Sequence, residues 1–217
     1  MKIIDIHTHN TPPQPNAIEA ICIKNDTPSP TLEKGQLYSV GIHPWDTVDD
    51  ITPDTFERLD RLAEDPGVAA VGECGIDLTP HGGPMFRQIQ IFKHHIDLSE
   101  RIAKPLVVHN VKSHDIIVGA RKDLKPTQNW AIHGFRGKPE VAAMLIRCGC
   151  FLSFGELFNA DTIRMVPADH ILAETDNSSL SIEEIIYQLS RARGEDLSEI
   201  IPANTSRFLE RVLNLDN

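Results

Sequence analysis

Eight apolar runs of strand length, separated by segments of helical period, constrain this 217-residue chain more than any other feature. The runs are Lys2 to Ile6, Ala20 to Ile23, Leu37 to Ile42, Val68 to Gly72, Leu106 to Val108, Trp130 to Ile132, Phe151 to Phe154 and Ile171 to Glu174. Such alternation is what a parallel sheet wrapped by helices requires, because each parallel pairing needs a long crossover. With eight such strands the sheet is expected to close into a (β/α)8 TIM barrel of the α/β class, its strand C-termini gathered at one rim. The length suits one barrel, and no repeat, low-complexity tract or linker divides it, so residues 1–217 are expected to form a single domain.

Helices are expected at Pro53 to Ala63, Met85 to Ile102, Ser113 to Lys122, Pro139 to Cys148, Ile182 to Arg193 and Thr205 to Leu213. Pro53 follows Thr52 as a first-turn proline follows its cap, and Ser181 with Glu184 forms a capping-box pattern. The first two crossovers differ. Pro12, Pro13 and Pro15 interrupt one, and Pro28 and Pro30 the other, so both are expected to be shortened or non-helical.

The first run leads into Asp5-Ile6-His7-Thr8-His9. Residues two apart in an extended strand project the same way, so His7 and His9 can grip one metal ion. Further polar residues follow the other runs: Glu73, His109, His133, and Thr175 with Asp176. Each stands where a barrel converges its catalytic groups, and imidazole with carboxylate suits Zn²⁺, Mn²⁺ or Fe²⁺.

In these stretches the chain resembles the TatD family of metal-dependent hydrolases, the TatD-like deoxyribonucleases of the amidohydrolase-like barrels. The matching segments are Ile4 to His9, Gly41-Ile42-His43-Pro44, Val71 to Asp77, Lys104 to His109, His133-Gly134-Phe135-Arg136-Gly137 and Glu174-Thr175-Asp176, in the family's order. The resemblance implies two divalent ions (Zn, Mn, Mg or Fe). It places His7, His9, Glu73 and Asp176 around one, and Glu73, His109 and His133 around the other, with Glu73 bridging. A water shared by two ions loses its proton readily, and Asp176 would serve as ligand and general base for its attack. The implied activity is hydrolysis of a phosphodiester, with nucleic-acid ends or a small phosphoester as substrate.

His43 closes the third run, where it can face the substrate or fix its loop, while Lys112, Arg136 and Lys138 lie in loops that leave the metal-bearing strands. His43, Lys112 and Arg136 are therefore taken as candidate substrate contacts. Asp77 reads as a turn or salt-bridge residue, and His81, His94, His95, His114 and His170 fall away from strand ends. Family members carry Arg two residues after the counterpart of His109. Here Val111 stands in that place, with Lys112 beside it. Asn177-Ser178-Ser179 replaces the family's small residue and proline, and Ser181 already caps the next helix, so the substrate wall is expected to be shallow.

A net charge of −10 argues against broad electrostatic binding to long duplex DNA. The four cysteines, Cys22, Cys74, Cys148 and Cys150, have no zinc-knuckle spacing and read as reduced core residues. No apolar stretch approaches the roughly 18 to 20 residues of a membrane span, and Met1 to Ile6 run straight into strand pattern without a signal peptide's apolar segment, so a cytoplasmic protein with no membrane partner is expected, as a monomer or small homo-oligomer. Two other readings of the same residues stay open: an amidohydrolase-type amide or ester hydrolase, and a catalytically degenerate metal-binding protein. A PHP-type phosphoesterase also opens on His-x-His, but the later Gly-Glu-x-Gly and Glu-Thr-Asp matches favour TatD.

Overall fold

Short aliphatic runs that cannot cover both their faces alone pair in chain order until the eighth meets the first. The computed structural model describes residues 3–10, 12 and 16–213. Its strands are β1 (Asp5–Thr8), β2 (Ala17–Cys22), β3 (Leu37–Gly41), β4 (Val68–Asp77), β5 (Leu106–Val111), β6 (Trp130–Ile132), β7 (Cys150–Phe154) and β8 (Ile171–Ala173), all parallel in a closed barrel. Around them lie α1 (Pro53–Ala63), α2 (Met85–Ile102), α3 (His114–Leu124), α4 (Pro139–Arg147), α5 (Ala160–Met165), α6 (Ile182–Arg193) and α7 (Ile200–Leu213). No helix among the described residues is long and apolar enough to cross a membrane.

The expected α/β barrel is present, and the first two crossovers carry no helix among the described residues. Pro13 and Pro15, which motivated that expectation, lie outside the described residues, as does Lys2 of the first expected strand. Three helices, α1, α2 and α6, match their expected bounds. The Thr52 hydroxyl accepts from the Thr55 amide and the Ser181 hydroxyl from the Glu184 amide, each at 3.2 Å.

Differences have local causes. β1 lies further along the chain than expected, because Asp5 pairs with both Ala17 and Ala173. β2 spans Ala17–Cys22 rather than Ala20 to Ile23, in register with β3 from Ile18 onward. β4 and β5 run on past their expected ends because Cys74, Gly75, Ile76 and Asp77 pair with Val108, His109, Asn110 and Val111. Glu73 and His109 thus sit inside strands, not after them. α7 starts at Ile200 instead of Thr205, since Pro202 falls in the first turn, where its missing N–H costs nothing. The short α5 had no expected counterpart; the Asn159 side chain caps it by accepting from the amides of Asp161 and Thr162.

Two apolar clusters fill the fold. Leu106, Val108, Trp130, Ile132, Ile171 and Ala173 pack outward under the helices, with Ile117, Leu145 and Ile185. Val107, Ala131 and Leu172 alternate with them and join Phe208 of α7 in a second cluster. The period of two then puts His109, His133 and Glu174 on the same faces as Val107, Ala131 and Leu172, one step nearer the C-terminal rim. α7 is tied to the opposite end. Asn129 donates to the carbonyls of Arg207 and Phe208, and Asn204 to those of Ala168 and Ile171, all near strand starts.

His95 of α2 is fully buried and braces the end of β3: its Nε2 accepts from the Ile42 amide at 2.9 Å, so its Nδ1–H donates to the Ile91 carbonyl at 2.7 Å. Burial lowers its pKa from 6.5 to about 4, so the folded ring stays neutral where the unfolded ring takes up a proton. The stabilisation is therefore complete above the unfolded value and is lost as pH falls towards the folded one. We expect urea midpoints to fall across this window, by up to roughly 1.4 kcal/mol of stability per pH unit, and His95→Gln to show a shallower decline. Parallel slopes for the two proteins would remove His95 as the cause.

Candidate metal centre

The ladder between β4 and β5 breaks register between Val71 and Cys74, and Glu73 lies in this bulge. Glycine is required on both sides. Gly72 (φ +137°) and Gly75 (φ +138°) lie so close to β5 that a Cβ would stand 2.3 Å from the Val107 carbonyl oxygen and 2.1 Å from that of His109. The bulge aims the Glu73 carboxylate into the barrel mouth, where only 3% of the residue is exposed.

Five imidazoles surround that carboxylate. His109 Nδ1 and His133 Nε2 each lie 2.7 Å from Oε1, and His43 Nε2 lies 3.0 Å from it. His7 Nε2 and His9 Nε2 each lie 3.3 Å from Oε2, and Asp176 Oδ1 stands 3.9 Å beyond His9. Burial opposes ionisation of Glu73, but the charge of His133 and hydrogen bonds from His109, His133 and His43 outweigh it and hold the carboxyl well below its usual range. One carboxylate thus presents each oxygen to a separate set of donors.

The outer nitrogen of each ring decides what its inner nitrogen can do. His109 Nε2 lies 3.2 Å from Asp77 Oδ2, which also receives the Trp45 indole N–H at 2.7 Å. Against the effect of burial, bonds from Thr79 and Trp45 hold Asp77 down at about 2, so it is a firm acceptor for the His109 Nε2–H. His133 Nδ1 faces Glu174 Oε1 at 3.4 Å, an oxygen fixed by the Gly134 amide at 2.7 Å. A neutral ring at either place therefore turns a lone pair inward, whereas His133, which Glu73 and Glu174 raise well above the usual imidazole value against the effect of burial, donates from both nitrogens when charged.

His43 is the reverse case. Its Nδ1 accepts from the Trp45 amide at 3.1 Å, which puts the proton of the neutral ring on Nε2 and makes its inward atom a donor to Glu73. His43 thus fixes its loop through Nδ1 and faces Glu73 through Nε2.

These residues fit a divalent cation. His7 is fully buried, and among the described residues neither ring nitrogen has a hydrogen-bond partner; burial and the nearby His133 lower its pKa and keep it neutral. An inward lone pair on His109 at 2.7 Å from an ionised carboxylate is repulsive unless a proton or cation lies between. Donor atoms of His7, His9 and Asp176, and of His7, Glu73 and His133, lie within 4.8 Å of one another. A cation would relieve the unpaired and repelling groups together.

Asp176 is positioned by an extension of the β1–β8 pairing: its N–H donates to the His7 carbonyl and its carbonyl accepts from the His9 amide, both at 2.9 Å. Beneath them the buried Asp5 carboxyl accepts from the His7 amide (3.2 Å), the Thr175 amide (3.1 Å) and the Thr175 hydroxyl (2.6 Å). Burial raises Asp5 to about 7. Asp5 and Glu174 stand in the two motifs without a role assigned from sequence, although their spacing from His7 and Asp176 is the same two-residue step as His7 to His9.

A cavity of about 590 Å³ opens beside the centre, with Lys112, His114, Arg136, His81 and Trp45 on its walls. Lys112 and Arg136 are exposed there, while Lys138 is exposed at the N-terminus of α4. His81 and His114, expected away from the strand ends, line this same space. A second cavity of about 390 Å³ reaches Cys22, Lys24 and Asp46, and the two share Trp45, His109, His133 and Asp176.

A family model described as TatD related DNase matches residues 31–210. The metal-dependent hydrolase YcfH of Escherichia coli K12 is 28% identical over 201 residues, covering 83% of this chain and 74% of that one. The 3'-5' ssDNA/RNA exonuclease TatD of Erwinia tasmaniensis is 26% identical over 205 residues, covering 82% and 78%. The crystal structure of YjjV, a TatD homologue from E. coli K12, shares the fold with a TM-score of 0.79 at 20% identity, covering 95% of this chain and 97% of that one.

If Asp77 sets the tautomer of His109, Asp77→Asn should raise the dissociation constant for a divalent ion by roughly 10- to 100-fold. Competition with a coloured chelator measures this. An unaltered constant would mean that His109 needs no such partner.

Proposed function

The chain belongs to the TatD related DNase family and is a metal-dependent hydrolase, and from that premise we propose that it cleaves phosphodiester bonds at nucleic-acid ends or in small phosphoesters. The observation that carries this reading is the Glu73 carboxylate between two donor sets, beside a cavity walled by Lys112 and Arg136. The exonuclease relative supports the substrate class. The four free thiols suit a reducing cytoplasm.

In this reading His7, His9, Asp176 and Glu73 would hold one divalent ion, and His109, His133 and Glu73 would hold a second. When bound, such ions neutralise phosphoryl oxygens and make a water acidic enough to attack at neutral pH. Asp176 takes the proton of the attacking water. Asp176 borders both cavities, and its Oδ1 is held by the Asn177 side-chain amide at 2.9 Å. His43 points an N–H into the site and serves as a hydrogen-bond donor rather than a ligand. Lys112 and Arg136 grip phosphate oxygens, the lysine as a compact charge and the arginine through its planar fork.

At saturating metal, Asp176→Asn should keep the wild-type melting temperature while turnover of a phosphodiester falls roughly 10²- to 10⁴-fold. Full turnover in that variant would end the general-base assignment. Lys112→Ala with Arg136→Ala should raise KM for phosphodiesters by roughly 10- to 100-fold. Unchanged phosphodiester kinetics, together with chelator-sensitive hydrolysis of model amides, would move the reading to an amidohydrolase.

A further inference from the structure

The cavity beside the metal centre holds an aromatic surface that the hydrolytic chemistry does not use. Trp45 is 50% exposed, whereas Trp130, the chain's other tryptophan, is wholly buried. Trp45 is also held at two points: its indole N–H donates to Asp77 Oδ2 at 2.7 Å and its amide to His43 Nδ1 at 3.1 Å. An exposed ring fixed in this way loses little conformational freedom when a ligand covers it. The imidazole of His81 packs against it with ring centroids 5.2 Å apart and planes tilted by 42°, widening the surface. Both rings line the cavity that also contains Lys112, His114 and Arg136.

We propose that Trp45, flanked by His81, is a stacking platform for a nucleobase, so that the enzyme selects nucleotide substrates over phosphoesters lacking a base. The inference rests on the phosphodiesterase reading and adds the class of group that fills the cavity next to the phosphate. The cavity offers cations to a phosphate and a rigid π-surface to its neighbour, the combination used by sequence-tolerant binders of single-stranded nucleic acid. A bare sugar phosphate would satisfy only the cations. Since Trp45 reaches both cavities, a stacked base lies beside the reaction centre rather than on a remote surface.

Tryptophan fluorescence reads this contact directly, because buried Trp130 contributes a constant signal. The metal-loaded protein is titrated with deoxyadenosine 5'-monophosphate and, separately, with 2-deoxyribose 5-phosphate, with calorimetry alongside. The expected result is quenching by the nucleotide alone and an affinity roughly 10- to 100-fold higher for it than for the sugar phosphate. Trp45→Phe should keep that preference in calorimetry without the optical change, and Trp45→Ala should lose it. His81→Ala, which leaves the bond between Trp45 and Asp77 in place, should reduce it. Equal affinities for the two ligands, binding of neither, or an undiminished preference in Trp45→Ala would overturn the proposal. Wild-type turnover of bis(4-nitrophenyl) phosphate separates the two readings: an inert enzyme that still prefers the nucleotide sinks the hydrolytic reading and leaves the platform standing.

Discussion

The Glu73 carboxylate, buried among five imidazoles, is the contact on which the rest of this fold is organised. A lone buried carboxylate would be costly, and so would unpaired buried histidines; gathered at one point, each offsets the other's desolvation. The gathering needs side chains from β1, the end of β3, β4, β5 and the end of β6 to reach one locus. Parallel strands closed into a barrel deliver their C-terminal ends to a common rim, so the topology and the charge arrangement require one another.

A second ring of acids gives this arrangement its precision. Asp77 behind His109, Glu174 behind His133 and Asp5 beneath His7 each fix an orientation or a tautomer through a named hydrogen bond. His43 shows how much depends on one such bond. With an amide N–H instead of a carboxylate at its outer nitrogen, the same ring type presents a proton rather than a lone pair. A histidine at a strand's end therefore does not declare its role until its far side is known.

Much of the fold was legible because local and global signals agreed. Thr52 and Pro53 mark the start of α1, Ser181 that of α6, and apolar runs bounded by polar residues mark the strands. The barrel and the set of converging side chains followed from these. What stayed hidden depends on register between segments distant in sequence. No local pattern shows that β4 pairs past Glu73 with β5, or that the Trp45 indole reaches Asp77. A strand-end rule does not reach His81, in the loop after β4, or His114, in the first turn of α3, although both line the cavity.

The two early crossovers, helix-free among the described residues, leave the barrel wall uneven. From Glu19 to Cys22 the strand β2 is only half-buried, whereas β4 is buried along its whole length. Amide hydrogens should exchange with solvent soonest along this thinner flank, and thermal breathing should begin there. The seam lies next to β1, which carries His7 and leads into His9, so one lobe of the centre rests on a yielding wall and the other on a rigid one.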